Sequence, residues 1–335
     1  NNSVQHDLLS PFMFGRALFR HVHQILSLLH RYPNESILQS KVDVKSAYRR
    51  LHNAIATAVA AMVLVGAYLL VALRLTFGGS PNPSRWSDLS EIACDLANDL
   101  AHNPGWDPAV HFSPHSERLP PDPILEPPSI PFATAVPLSV DLPVDDEPKT
   151  EVYIDDLFNC YLLRHLVKGG RILPFVLHLL GRPTHTEDPI TRDDILSITK
   201  FLAEATPSEV ETILGWEVDT RRLLLSLPAD KVAAWSESIQ IMLRSPTKVS
   251  YEDLDTLIGR LNHCGFLIPQ ARHFLGRIRT AKHKASKRRQ AHLSPAVQAD
   301  LSLWLSFLAA AGQGIDMNLL TFRHPTHVSR ADACE

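Results

Sequence analysis

Two adjacent aspartates, Asp155 and Asp156, stand in the run TEVYIDDLFNCY (Thr150 to Tyr161), which is otherwise apolar and strand-like. Carboxylates are hard oxygen donors, and one or two of them with substrate phosphates can hold Mg²⁺. On a regular strand neighbouring side chains face opposite ways, so the pair needs a tight turn to act together. The alternative is a solvated turn at a strand end, where Asp is common. A third carboxylate on an adjacent strand bears on the choice. Asp43 in KVDVKSAYRR follows a β-prone segment and sits among Lys41, Lys45, Arg49 and Arg50. Those cations either border a charged site or neutralise Asp43 as surface pairs.

The elements that must position these groups follow from the hydrophobic pattern. Leu8 to His30 has helical spacing, Ile37 to Val44 reads as a strand, and Ser84 to His102 as a helix with Trp86, Leu89, Ile92, Ala93, Leu96 and Leu100 on one side. Ala54 to Leu73 carries no charge and is long enough to span a bilayer, but its Val59–Val65 and Ala67–Leu73 halves around Gly66 favour two buried strands. Pro104 to Pro148 holds 12 of the 25 prolines and reads as a surface excursion, either an extended arm or a disordered loop. Val176 to Leu180 and Asp193 to Ala205 read as helical, and Ile213 to Pro228 as a hairpin turning near Asp219 and Thr220. Helices then follow over Ala229–Leu243, Ser250–Cys264 (opened by the capping pattern SYED) and Ser294–Ala311. This order predicts an α+β chain with a helical appendix.

Composition bounds the function classes. The 335 residues are 45% hydrophobic and 21% charged with a net charge of −3, which indicates a globular chain and neither requires nor excludes a nucleic-acid partner. Locally the balance is different: RIRTAKHKASKRRQAH, Arg277 to His292, holds seven Lys and Arg and no acid, and suits a phosphate backbone. The four cysteines are scattered without a CxxC pair, and no histidine spacing matches a metal site. Without an initiator Met or signal peptide, and with an abrupt end at SRADACE, the chain is expected to be part of a longer polypeptide.

Taken in order, four blocks resemble those of reverse transcriptases, the RNA-directed DNA polymerases of retroelements. DVKSAY (Asp43 to Tyr48) is similar to the first palm motif, and LRLTFGGSPNPSRW (Leu73 to Trp86) to the second. VYIDD (Val152 to Asp156) resembles the Y-x-D-D hairpin, and ILGWEVD (Ile213 to Asp219) the Leu-Gly hairpin that grips the primer end. LIGRLNHCGFLIPQARHFLGRI (Leu257 to Ile278) is similar to the helical thumb or connection of long-terminal-repeat-like and tyrosine-recombinase elements, and SRADAC to the start of a ribonuclease H domain, with Asp332 its first catalytic aspartate.

The resemblance implies a right-hand polymerase palm, a ferredoxin-like antiparallel sheet backed by helices. Partial fingers would occupy residues 1–40, the palm 41–228 with a proline-rich insertion at about 103–148, the thumb or connection 229–312, and the ribonuclease H start 313–335. Asp43, Asp155 and Asp156 would be the catalytic residues and hold two Mg²⁺ ions, or Mn²⁺ in their place. Asp155 would join Asp43 on the metal face, with Asp156 turned partly aside and contributing less. Tyr48 would pack under the nucleotide sugar and exclude a 2′-hydroxyl, with Phe77, Gly78, Gly79 and Lys200 completing the nucleotide site. Tyr153, Leu214, Gly215, Trp216, Arg277, Lys282, Lys284 and Arg288 would contact primer or template. Few residues precede the first motif, so most of the fingers is missing, with Arg16, Arg20 and Arg31 as substitutes for its basic residues. The implied partners are an RNA or DNA template with primer, deoxynucleoside triphosphates and the other domains of a retroelement polyprotein. A membrane is not among them, and the compartment is intracellular, in cytoplasm or nucleus. The competing reading is a decayed or domesticated palm that binds nucleic acid or protein without catalysis.

Overall fold

The computed structural model describes residues 14–76, 78–79, 81–118, 122–139, 145–181, 195–204, 206–247, 249–286 and 290–321. The chain forms two compact units, Asn1–Leu214 and Gly215–Glu335. Phe77, Arg288 and Asp332, expected to touch the nucleotide, nucleic acid and a ribonuclease H metal respectively, lie outside the described residues.

In the first unit the order is α1 (Ala17–Arg31), β1 (Ile37–Asp43), α2 (Ile55–Ala60), β2 (Val63–Val65), β3 (Tyr68–Leu70), α3 (Asn82–Ala101), β4 (Lys149–Tyr153), β5 (Asp156–Leu162), α4 (Leu166–Leu180), α5 (Ile198–Glu204) and β6 (Val210–Ile213). The fold class is α+β, as the pattern of the sequence predicts. Its main sheet has the order β1-β5-β4, antiparallel throughout. The central strand β5 is buried from Leu157 to Leu162, because helices cover both of its faces. Phe158 meets His21 of α1 on one face, while Asn159 and Tyr161, of opposite parity, face α4. The approach of α4 depends on Gly169: a Cβ there would lie 2.3 Å from the Tyr161 ring. Buried polar groups between the strands are paired, with Ser40 Oγ donating to Asn159 Oδ1 at 2.7 Å and Asn159 Nδ2 to the Gly169 carbonyl at 2.8 Å. On the outer side of β4, Asn98 of α3 donates to the Thr150 carbonyl at 3.1 Å and accepts from the Thr150 N–H at 2.9 Å.

The apolar stretch Ala54–Leu73 departs from expectation. Gly66 does sit at a turn, at φ 61°, between two paired strands, β2 and β3. The expected burial fails, since every residue of both strands is exposed, Leu64 at 70% and Tyr68 at 76%. A two-stranded ribbon buries a face only when another element packs on it, and no third strand joins this one among the described residues. The strand expected from Val59 begins only at Val63, because α2 runs from Ile55 to Ala60. No described helix is long and apolar enough to cross a membrane.

Residues 106–112 of the proline-rich excursion lie on α4 as an arm, while further along the Ile124 N–H donates to the Pro207 carbonyl at 2.9 Å and the Glu126 N–H to Glu209. Trp106 stacks on Phe175 with ring centroids 5.9 Å apart, and Arg171 donates to the Pro108 carbonyl at 2.7 Å while lying over the Phe112 ring. Among the proposed substitutes for the fingers, Arg20 is committed elsewhere: it forms a 2.7 Å ion pair with the buried Glu151.

The second unit runs β7 (Trp216–Asp219), β8 (Leu224–Ser226), α6 (Ala229–Arg244), β9 (Val249–Ser250), α7 (Tyr251–Cys264), α8 (Gly276–Ser286), β10 (Gln290–Ala291), α9 (Pro295–Gln313), β11 (Ile315–Asp316) and α10 (Met317–Leu320). Ser250 caps α7 by accepting the Asp253 N–H at 3.0 Å, and Ser294 caps α9 from the Val297 N–H, as their sequence patterns predict. Leu301, Trp304 and Leu308 of α9 form a fully buried stripe, and α9 packs against α6 and α7, where Ile239 and Leu257 are also buried.

Candidate active site

Three carboxylates meet at one end of the main sheet. β1 ends at Asp43, whose cross-strand partner is Asp156, the first residue of β5. Directly opposed residues on an antiparallel pair project to the same face. Alternation therefore places Asp156 beside Asp43 rather than aside from it, which corrects the expected division between the two aspartates. Asp155 belongs to the turn instead: Tyr153 pairs with Asp156, leaving Ile154 and Asp155 as a two-residue loop. The Asp155 carbonyl accepts the Val44 N–H at 3.2 Å, which ties the turn to the end of β1.

The turn is strained. Ile154 adopts φ 58°, a left-handed conformation that a β-branched side chain strongly disfavours. Trp86 holds it there, its Nε1–H donating to the Ile154 carbonyl at 2.6 Å. Trp86 is 2% exposed and also fixes Tyr48, whose ring meets it edge-on at 6.4 Å. Tyr48 itself is buried, and its hydroxyl pKa is raised by burial first and then by the charge of Asp155. The Trp86 helix is entered through the Gly78–Gly79 turn, with Gly78 at φ 89°. Asn82 Nδ2 donates to the Thr76 carbonyl within that turn, and a Cβ on Gly79 would strike the Asn82 amide at 2.5 Å.

The electrostatics are those of crowded like charges. Asp156 retains open surface, yet its carboxyl is pushed up to about 6, by partial burial first and then by Asp155 and Asp43, with Lys200 and Lys41 opposing. Asp155 is also raised, by burial and by Asp43, against its own backbone hydrogen bond and Lys200. Lys200 of α5 forms a 3.1 Å ion pair with Asp43, which places a residue far off in sequence at the carboxylates.

The donor chemistry fits a hard divalent cation, because the neighbouring carboxylates add to burial in raising the pKa of Asp155 and Asp156, and a cation would relieve that repulsion. The present arrangement is not a closed ligand set: among the described residues no group of three His, Cys, Asp or Glu is placed to hold a metal ion. Lys200 instead occupies Asp43.

Other predicted residues lie apart from this cluster. Tyr153, at the strand end, is 36% exposed and packs near Phe14 at 6.0 Å. Leu214, at φ 50°, ends the first unit, and Gly215, at φ 81°, opens the second. In the second unit Lys231 donates to the Gly215 carbonyl at 2.8 Å, and Trp216 is a buried residue stacked on His263 at 4.3 Å. Burial, and then the charge of Lys231, lower the His263 pKa. On α8 Lys282 pairs with Asp255, Arg277 pairs with the buried Asp300 at 3.3 Å, and Lys284 is exposed.

Sequence reasoning passed over Trp86 as one of several apolar helix positions. A tryptophan carries one donor that must be satisfied when buried, and that is the signal which singles it out. Lys231 and His263 have no comparable local mark.

No protein-family model matches the chain, and no curated protein does. Among solved structures it is similar to a foamy viral protease-reverse transcriptase in complex with an RNA/DNA hybrid, at 14% identity and a TM-score of 0.45 over 86% of this chain and 29% of that one. It is also similar to a dRH form of the foamy viral protein with double-stranded DNA, at 12% identity and 0.46, over 84% of this chain and 36% of that one. A third such structure, with double-stranded DNA, gives 14% and 0.42 over 82% and 42%. The chain thus spans less than half the length of each. Superposition this loose assigns neither residue roles nor an activity.

Proposed function

We propose that this chain is the palm and adjoining helical region of an RNA-directed DNA polymerase of a retroelement, extending a primer on an RNA or DNA template. The observation that carries the reading is the meeting of Asp43, Asp155 and Asp156 at one sheet end, in a hairpin of Y-x-D-D sequence. Two divalent cations, Mg²⁺ or Mn²⁺, would activate the primer 3′-hydroxyl and neutralise the triphosphate and departing pyrophosphate.

The chain's own contribution is positioning. Asp43 and Asp156 present oxygens from paired strands, and Asp155 presents its own from the clamped turn. Lys200, paired with Asp43 at 3.1 Å, would become available to the phosphates if cations neutralised the carboxylates. Tyr48, braced by Trp86, limits space beside the sugar. The Gly78–Gly79 turn lets backbone approach the nucleotide. In the second unit the Gly215 turn, pinned by Lys231, lies against the primer, and the basic helix α8 against the phosphate backbone.

A non-catalytic palm is the second reading, favoured by the Asp43–Lys200 ion pair and the open ligand set. Cation-dependent primer extension by the unaltered chain on an RNA template separates the two. Extension that is abolished by both Asp155→Asn and Asp43→Asn supports polymerisation. No extension by the unaltered chain, with retained nucleic-acid binding, supports the second reading.

A further inference from the structure

A cavity of about 640 Å³ opens in the second unit between α8, β10 and the start of α9. Its wall carries Arg277, His283 and Lys284 from α8 and His292 from beyond β10, and among the described residues no acidic one lines it. Its floor is apolar, formed by Ala281, Ala291 and Val297, which are 7%, 6% and 5% exposed. The size lies within the range of small-molecule sites, roughly 300–1,000 Å³, and exceeds what a bare phosphate fills.

The cations of α8 are divided by their neighbours. Lys282 is paired with Asp255 and lies over the Tyr251 ring, and Arg279 donates to Asn262 at 3.3 Å. Both are directed toward α7. Arg277 faces the cavity with its guanidinium tied at 3.3 Å to the nearly buried Asp300, which orients it. Lys284 and His292 are exposed at the cavity and form no ion pair among the described residues. A phosphate offers the charge and the several acceptors that such a rim can bind, and a nucleobase offers a flat face for the floor.

We propose that this cavity binds one nucleoside phosphate unit, with the phosphate between Arg277, Lys284 and His292 and the base over Ala281, Ala291 and Val297. The inference concerns the second unit alone and stands whether or not the carboxylate cluster polymerises. The same chemistry arises from a free nucleotide or from one residue of a single strand.

Titration calorimetry on the full chain tests it with deoxythymidine 5′-monophosphate, thymidine and inorganic phosphate. The monophosphate should bind about tenfold more tightly than either fragment. The double variant Lys284→Gln/His292→Gln should lose about tenfold in affinity, while Lys282→Gln, an equal charge loss on the opposite side of α8, should stay within about twofold. Both altered positions are exposed, and Lys284→Arg, which keeps the charge, should retain binding. Competition by a short oligothymidylate identifies the source: displacement places a strand residue in the cavity, and its absence leaves a free nucleotide there, either result being a nucleoside phosphate. Equal losses in Lys282→Gln and the double variant would reduce the site to diffuse charge and overturn the proposal. So would thymidine or phosphate binding as tightly as the monophosphate, or no binding of the monophosphate by the unaltered chain.

Discussion

Replacing Trp86 by Phe removes the indole donor that holds the Ile154 carbonyl at 2.6 Å while keeping most of the aromatic packing. The lost hydrogen bond and the stranded carbonyl together cost about 2–3 kcal/mol if the turn stays in place. The turn has a reason to move, because the left-handed Ile154 stores about 1–2 kcal/mol that relaxation would recover. The net cost of Trp86→Phe in the parent is therefore about 1 kcal/mol. In an Ile154→Gly background there is no strain to recover, so the same substitution should cost its full amount. The coupling energy in a double-mutant cycle, read by urea unfolding, should equal the strain, about 1–2 kcal/mol. Activity should move the other way. Relaxation displaces the adjacent Asp155, so Trp86→Phe should lose primer extension, and adding Ile154→Gly should restore part of it without a gain in stability over Trp86→Phe alone. Additivity within about 0.3 kcal/mol would show that Trp86 does not hold the strain, and no rescue of extension would break the link between turn and chemistry.

Three further outcomes follow from the first unit. His21 is fully buried, with a pKa lowered to about 4 by burial against a partly compensating hydrogen bond to Gln39. Above pH 6.5 it is neutral in both states; as pH falls toward 4 only the unfolded chain gains the proton, so about 3 kcal/mol of stability is lost across that window. His21→Gln should flatten that part of the stability–pH curve, and an unchanged slope would contradict the assignment. Gly169→Ala, with its Cβ 2.3 Å from the immobile Tyr161 ring, should lower stability by about 2 kcal/mol in thermal unfolding despite the better helix propensity of Ala. Lys200→Met removes a cation opposing the carboxylates, so the Asp156 pKa should rise from about 6 in a carboxyl-carbon NMR titration; an unchanged value would mean that Lys200 does not act on it.

What was legible in the chain was what neighbouring residues determine. The helix Asn82–Ala101 follows from apolar positions at intervals of three and four, and Ser250 and Ser294 mark their helices by side chains that cap the first turn. Asp43 and the Asp155–Asp156 pair were readable as candidates because carboxylates in β-prone runs are conspicuous. Their arrangement was not, because register is set by pairing across more than a hundred residues and alternation along one strand does not report it. The same limit hid the pairing of Lys200 with Asp43. At Val63–Leu70 an uncharged β-prone sequence implies burial only when something covers it, and coverage is a tertiary property. In sequence α8 is a run of charge, and its division into two differently engaged sides appears only once α7 and α9 flank it.

Asn98 has a consequence for how the sheet ends. A strand at the margin of a sheet offers a template on which a foreign strand can grow, and β4 occupies that margin. At Thr150 both outward-facing backbone groups are taken by one side-chain amide, which mimics the next strand without being one. Asn98 thus acts as a stopper near the start of β4, with the Cys94 thiol of the same helix also donating to the Thr150 carbonyl at 3.3 Å.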